Sequence, residues 1–131
     1  MRKTLLAFSL VLIAIPMSLI AQDFAKGYKA FLDRDYGEMV VHLRPLAEQG
    51  DPRAQAVLGA SYANGLGVEK DDVVAAQLYQ SAAEQGVAMA QFNLGVIYSE
   101  GRGVAQSDDQ AFFGIISPHD KAIQTLNSIW Q

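Results

Sequence analysis

The chain has 131 residues, a formal net charge of −4 and no cysteine. That is about one domain, mildly acidic, without the basic footprint that nucleic acid requires. Disulfides, thiol nucleophiles and a lipidated cysteine are excluded, so the fold must be held by packing alone.

Met1–Ala21 differs in composition from the rest. Arg2 and Lys3 precede Thr4–Ile20, an apolar run without a charge, and Ala21 is followed by Gln22 and Asp23. A basic start, an apolar centre and a small residue before a polar stretch is the order of a secretory signal peptide cut after Ala21. The other reading is an uncleaved anchor, since about 17 apolar residues just span a bilayer. With the segment removed the charge is −6, because it carries two bases and no acid. The expected product is exported, periplasmic or secreted, with no stable membrane span.

Residues 22–50 read as an opening helix pair. Phe24, Tyr28, Phe31 and Leu32 recur at i, i+4, i+7 and i+8, one face of an amphipathic helix. Asp33–Asp35 and Gly37 break the pattern. Val40, Val41, Leu43, Leu46 and Ala47 line a second helix, in which Pro45 predicts a kink or a boundary between two shorter pieces.

The next stretch occurs twice. Residues 47–68 read AEQGDPRAQAVLGASYANGLGV and residues 83–104 read AEQGVAMAQFNLGVIYSEGRGV, with twelve positions identical at an offset of 36. In the first copy, residues 51–86, Asp51 is a helix cap and Pro52 suits the first helical position. Ala54, Leu58 and Tyr62 share a face with Gly59, whose cost of roughly 1 kcal/mol in a helix interior implies another backbone too close for a Cβ. Asn64–Gly67 is a turn, and Asp71 caps a helix striped by Val74, Ala75, Leu78 and Ala82. The second copy, residues 87–116, repeats this plan up to Ala111. Ser107 and Gln110 have the spacing of a reciprocal capping box, 36 residues after Asp71. Beyond Ala111 the second helix diverges into Phe112-Phe113-Gly114-Ile115-Ile116. Ser117-Pro118 then starts a terminal segment, 117–131, striped by Ala122, Ile123, Leu126, Ile129 and Trp130. It reads as a capping helix over the open end of an array, with a truncated last repeat as the alternative.

A period in this range is the mark of a solenoid; the paired helices make it a short all-α array of helix-turn-helix repeats, and the resemblance that follows implies a right-handed one. The words AEQG and AQ..LG..Y..G.GV, with Asp72/Asp108 and Ala75/Ala111 in the capped helix, resemble the Sel-one-like repeat family of tetratricopeptide-like solenoids. The resemblance covers residues 23–111 and implies a non-enzymatic adaptor that holds proteins or peptides together, in bacteria often at the envelope. It also implies an alternative, a cell-wall-associated enzyme or binding module linked to β-lactams or peptidoglycan. The cysteine-rich relatives with that activity depend on disulfides that this chain cannot make.

No catalytic, cofactor or metal residue is assigned. Ser117 is followed at +3 by Asp120 rather than lysine, and His42 and His119 lack the spacing of a zinc pair. His119–Asp120 are neighbours on a helix and do not face each other. Gly65/Gly67 and Gly101/Gly103 follow helices and lack the lysine or third glycine of a phosphate loop. Recognition is instead expected where the copies differ. The stripe Arg53, Val57, Ala60 and Asn64 and its counterpart Met89, Asn93, Val96 and Glu100, with Phe92 and Arg102 nearby, form a candidate peptide groove; an ordinary solvated or inter-repeat face is the other reading. With so few units, a homodimer through the incomplete end is a further expectation.

Overall fold

The computed structural model describes residues 17–115 and Ile129, and these residues are all-helical. Six helices follow one another: α1 (Met17–Leu32), α2 (Tyr36–Glu48), α3 (Pro52–Asn64), α4 (Asp72–Glu84), α5 (Ala88–Glu100) and α6 (Asp108–Ile115). Each packs on the next in sequence, giving helix-turn-helix units stacked as a solenoid. The expected leader lies mostly outside the described residues, and α1 runs without a break through Ala21. The expected terminal helix also lies outside them apart from Ile129, which is exposed.

The 36-residue period reaches further back than the sequence copies. Helices α2, α4 and α6 begin at Tyr36, Asp72 and Asp108, and α2 and α4 are both 13 residues long. Their caps follow the same step. The Asp35 carboxylate accepts from the Glu38 N–H at 3.1 Å, Asp71 from Val73 and Val74 at 3.0 and 3.1 Å, and the Ser107 hydroxyl from Gln110 at 3.3 Å. The opening pair is therefore a unit of the same stack whose sequence has drifted.

The reciprocal half of the Ser107 box is replaced by another bond. The Ser107 N–H donates to the Tyr98 carbonyl at 3.0 Å, as Asp71 N–H does to Tyr62 at 2.9 Å. That bond ties each turn back to its own first helix. Gly65 and Gly101 end α3 and α5 in the left-handed region, at φ 67° and 65°, where a Cβ is disfavoured. Gly67 and Gly103, also left-handed at φ 70° and 67°, meet a further need: a Cβ there would lie 2.2 Å from the Tyr36 carbonyl oxygen and 2.5 Å from the Asp72 carbonyl carbon. Each turn is thus pressed against the first turn of the preceding unit's second helix.

Two cores fill the stack, and they are one pattern used twice. Val40, Leu43, Leu46, Ala54 and Leu58 form the first; Ala76, Tyr79, Ala82, Ala90 and Leu94, each 36 residues on, form the second. The recurring glutamines close the seams. Gln55 donates to the Ala47 carbonyl at 3.3 Å and Gln91 to the Ala83 carbonyl at 3.1 Å, joining each first helix to the end of the helix before it.

Three expectations need correction. Of the kink or boundary expected at Pro45, the boundary is absent, since α2 continues through it. Proline deprives the Val41 carbonyl of its partner, but Pro45 and Val41 are both exposed, so water can supply the bond and Val41 is not part of the buried stripe. The neighbour pressed on Gly59 is a side chain, the Tyr79 ring at 3.1–3.3 Å from a built Cβ, and not a backbone. A backbone does approach Gly95: a Cβ on Gly114 would lie 2.6 Å from the Gly95 Cα. Third, most of the stripe read as the packing face of α1 is not buried. Gly27 and Ala30 are, while Tyr28, Phe31 and Leu32 are 52%, 41% and 62% exposed.

Candidate functional site

The inversion of α1 builds an apolar concavity. A Cβ on Gly27 would lie 2.7 Å from Leu43 Cδ2. The small residues Gly27 and Ala30 therefore let α1 settle on α2, and this turns the aromatic stripe outward. Phe24, Tyr28 and Phe31 form one wall of a cavity of about 240 Å³, with Leu43, Val57 and Ala60 beneath and Met89 opposite. Every lining residue is hydrophobic or aromatic. Tyr28 stacks on Phe31 at 6.3 Å between centroids, and Phe31 tilts against Tyr36 at 6.2 Å, so the wall is held as an aromatic ladder.

Arg53 stands beside this cavity. Its guanidinium lies 4.4 Å over the Phe24 ring and donates to both Asp51 carboxylate oxygens, at 3.3 and 2.9 Å. Burial alone would raise the Asp51 carboxyl, but the Arg53 side chain and the N–H groups of Ala54 and Arg53 outweigh it and hold it below the ordinary carboxylate value. The cap of α3 and the orientation of Arg53 are thus one construction.

Of the residues singled out from the sequence, the structure brings Val57, Ala60 and Met89 together around the cavity, with Arg53 next to it. Asn93 and Val96 are half-buried and outside the lining. Asn64 donates its side chain to the Ala60 carbonyl at 2.9 Å. Glu100 accepts from Arg102 at 3.2 Å, and Arg102 also reaches Asp72 at 2.9 Å and the Ala63 carbonyl at 3.4 Å. Arg102 is a strut between units. Phe92 takes the place of Ala56, which is 1% exposed between units, and is itself 54% exposed. The aromatic wall was legible only as a stripe in the sequence; its outward orientation was not.

The shape and lining of this concavity suit the burial of apolar side chains. Elsewhere, His42 pairs with Glu38 at 3.1 Å within α2, and His119 lies outside the described residues. Among the described residues no group of three or more His, Cys, Asp or Glu could hold a metal ion, and no helix is long and apolar enough to cross a membrane.

A family model described as Sel1 repeat matches residues 52–87 and 88–113. A crystal structure of a Sel1 repeat protein from Oxalobacter formigenes is 40% identical, covering 67% of this chain and 36% of its own, with a TM-score of 0.64. The structure of c5321, described as a protective antigen present in uropathogenic Escherichia coli strains and displaying an SLR fold, is 26% identical. That match covers 83% of this chain and 23% of the other, with a TM-score of 0.71. The chain spans well under two thirds of either structure. No curated protein matches it.

Proposed function

With two Sel1 repeats in register on an opening helix pair, the chain belongs among the Sel1 repeat solenoids, and we propose that it is a non-enzymatic scaffold that holds a protein or peptide partner in its concave groove. Sel1 repeats generally mediate protein–protein interaction, and the cavity between α1, α3 and α5 is the observation that carries the reading to a place. Its aromatic wall is exposed on a surface that packing has left uncovered, and exposed apolar patches of this kind mark interaction sites. The fit is to a segment presenting one or two large apolar side chains. Burying one such side chain contributes about 1.5–3 kcal/mol, which a rigid aromatic wall can deliver at little cost in side-chain freedom.

The place of action follows from the sequence. Arg2, Lys3, the uncharged run and Ala21 support export, so the partner is sought in the bacterial envelope. Affinity capture from an envelope extract followed by mass spectrometry tests both points, using wild type beside a Tyr28→Ser, Met89→Ser double variant with the same melting temperature. Partners recovered by the wild type and lost by the variant are the expected result. Equal recovery of every partner by both proteins would remove the groove from the account.

A further inference from the structure

A side-chain amide beside an unshielded backbone nitrogen is a reactive pair in any chain. This chain has three asparagines, and Asn64 is the one followed by glycine. Asn93 precedes Leu94 and is half-buried inside α5, while Asn127, before Ser128, lies outside the described residues. Asn64 is the last residue of α3 and Gly65 its left-handed cap, and both are exposed. Asparagine is thermolabile because the nitrogen of the next residue can attack its side-chain carbon. Glycine, lacking a Cβ, leaves that nitrogen open and the backbone free to turn toward it.

The helix end holds this pair apart. The Gly65 N–H donates to the Ser61 carbonyl, the Leu66 N–H to the same oxygen at 2.9 Å, and the Asn64 side-chain amide to the Ala60 carbonyl at 2.9 Å. Attack therefore waits for the last turn of α3 to open. That opening is local. It breaks three hydrogen bonds at an exposed helix end and needs no movement of Ala54 or Leu58 in the core, the kind of fraying that costs least in a folded protein.

We propose that Asn64–Gly65 is a self-modifying site, at which Asn64 is converted to isoaspartate and the turn after it is released from α2. The Gly65 nitrogen gives up its proton to water and bonds to Asn64 Cγ, and the side-chain nitrogen takes up a proton and leaves as ammonia. Water then opens the cyclic imide, so that amide and water have become carboxylic acid and ammonia. Opening at the main-chain carbonyl gives isoaspartate, in which the backbone is one atom longer.

The fold has no room for that atom. A Cβ on Gly67 would already lie 2.2 Å from the Tyr36 carbonyl oxygen, so lengthening the chain just before it displaces the turn. The product also loses the donor to Ala60 and sets a carboxylate at the C-terminal end of α3, where the helix dipole disfavours it. The second repeat carries Glu100 at this position and offsets it with Arg102 at 3.2 Å; the first has Leu66 in place of that arginine. The result is a timed loosening of the joint between the opening pair and the first repeat, whatever the groove binds.

The test is ageing of the folded full chain in warm neutral buffer, followed by peptide mapping that separates asparagine, aspartate and isoaspartate. Isoaspartate at position 64, in excess of conversion at Asn93 and Asn127, is expected. In denaturing urea the rate at Asn64 rises about tenfold or more, because the three hydrogen bonds no longer hold the pair apart. Wild type loses melting temperature in step with isoaspartate, whereas Asn64→Gln, whose longer side chain closes the ring far more slowly, keeps its own. Asn64→Asp, made directly, carries the charge without the longer backbone and melts above aged wild type. An Asn64 that stays intact in the folded chain, or one that converts equally fast in buffer and urea, would end the proposal. So would an isoaspartate-rich sample that melts like fresh protein, or an Asn64→Asp protein as unstable as the aged one.

Discussion

Arg102 stands where the first repeat has Leu66, and the exchange of an apolar for a charged residue creates the strut to Asp72 and the Ala63 carbonyl. The hydrogen bond from Arg102, and then its charge with that of Lys70, hold the Asp72 carboxyl below its ordinary value. A carboxyl with a depressed folded-state pKa contributes stability above its unfolded-state value and loses it as pH falls through the folded one. Thermal melts of wild type and Arg102→Leu should therefore differ at neutral pH and converge in strong acid. A gap that persists unchanged in acid would mean that Arg102 acts through packing and not through the pair. The residue types of both partners are plain in the sequence. That they meet across 30 positions is not, because the contact depends on how one unit's turn lands on the helix start of the previous one.

At the scale of elements, the glycines sort by what lies opposite them. Gly59 faces the edge of a tyrosine ring at 3.1 Å, and Gly114 faces helix backbone at 2.6 Å. A ring can give by a few tenths of an ångström; a backbone held by its own helix cannot. Alanine in a helix interior gains about 1 kcal/mol over glycine, enough to offset the slight crowding of Tyr79. Gly59→Ala should thus melt close to wild type, whereas Gly59→Leu, which must displace the ring, should lose about 1–3 kcal/mol. Gly114→Ala should already cost on that order, by lifting α6 from α5. Parallel denaturant titrations of the three variants check this ranking, and a Gly114→Ala protein as stable as wild type would dismiss the backbone contact. The sequence showed where helix interiors carry glycine, since periodicity and caps are local. It could not show what packs on them.

For the whole molecule, the stack is uneven along its length. The first core holds Met39, Leu43 and Leu46, while the second has Ala75, Tyr79 and Ala82 at the matching positions, with a cavity beside it. In a solenoid, stability is close to a sum of units and their interfaces, so opening should begin at the second repeat. Amide hydrogen exchange should show protection falling from α2–α4 toward α6. Uniform protection across all six helices would indicate a single cooperative block instead.

The sequence alone determined that this protein is a helical repeat array, where α3, α4 and α6 are capped, and that it carries repeats of the Sel1 kind, because caps, turn glycines and apolar periodicity are read within a few residues of each other. Only the tertiary structure decided which faces were left over for binding. The aromatic stripe of α1 has the spacing of a core face, and it is the approach of Gly27 and Ala30 to α2 that turns most of it outward.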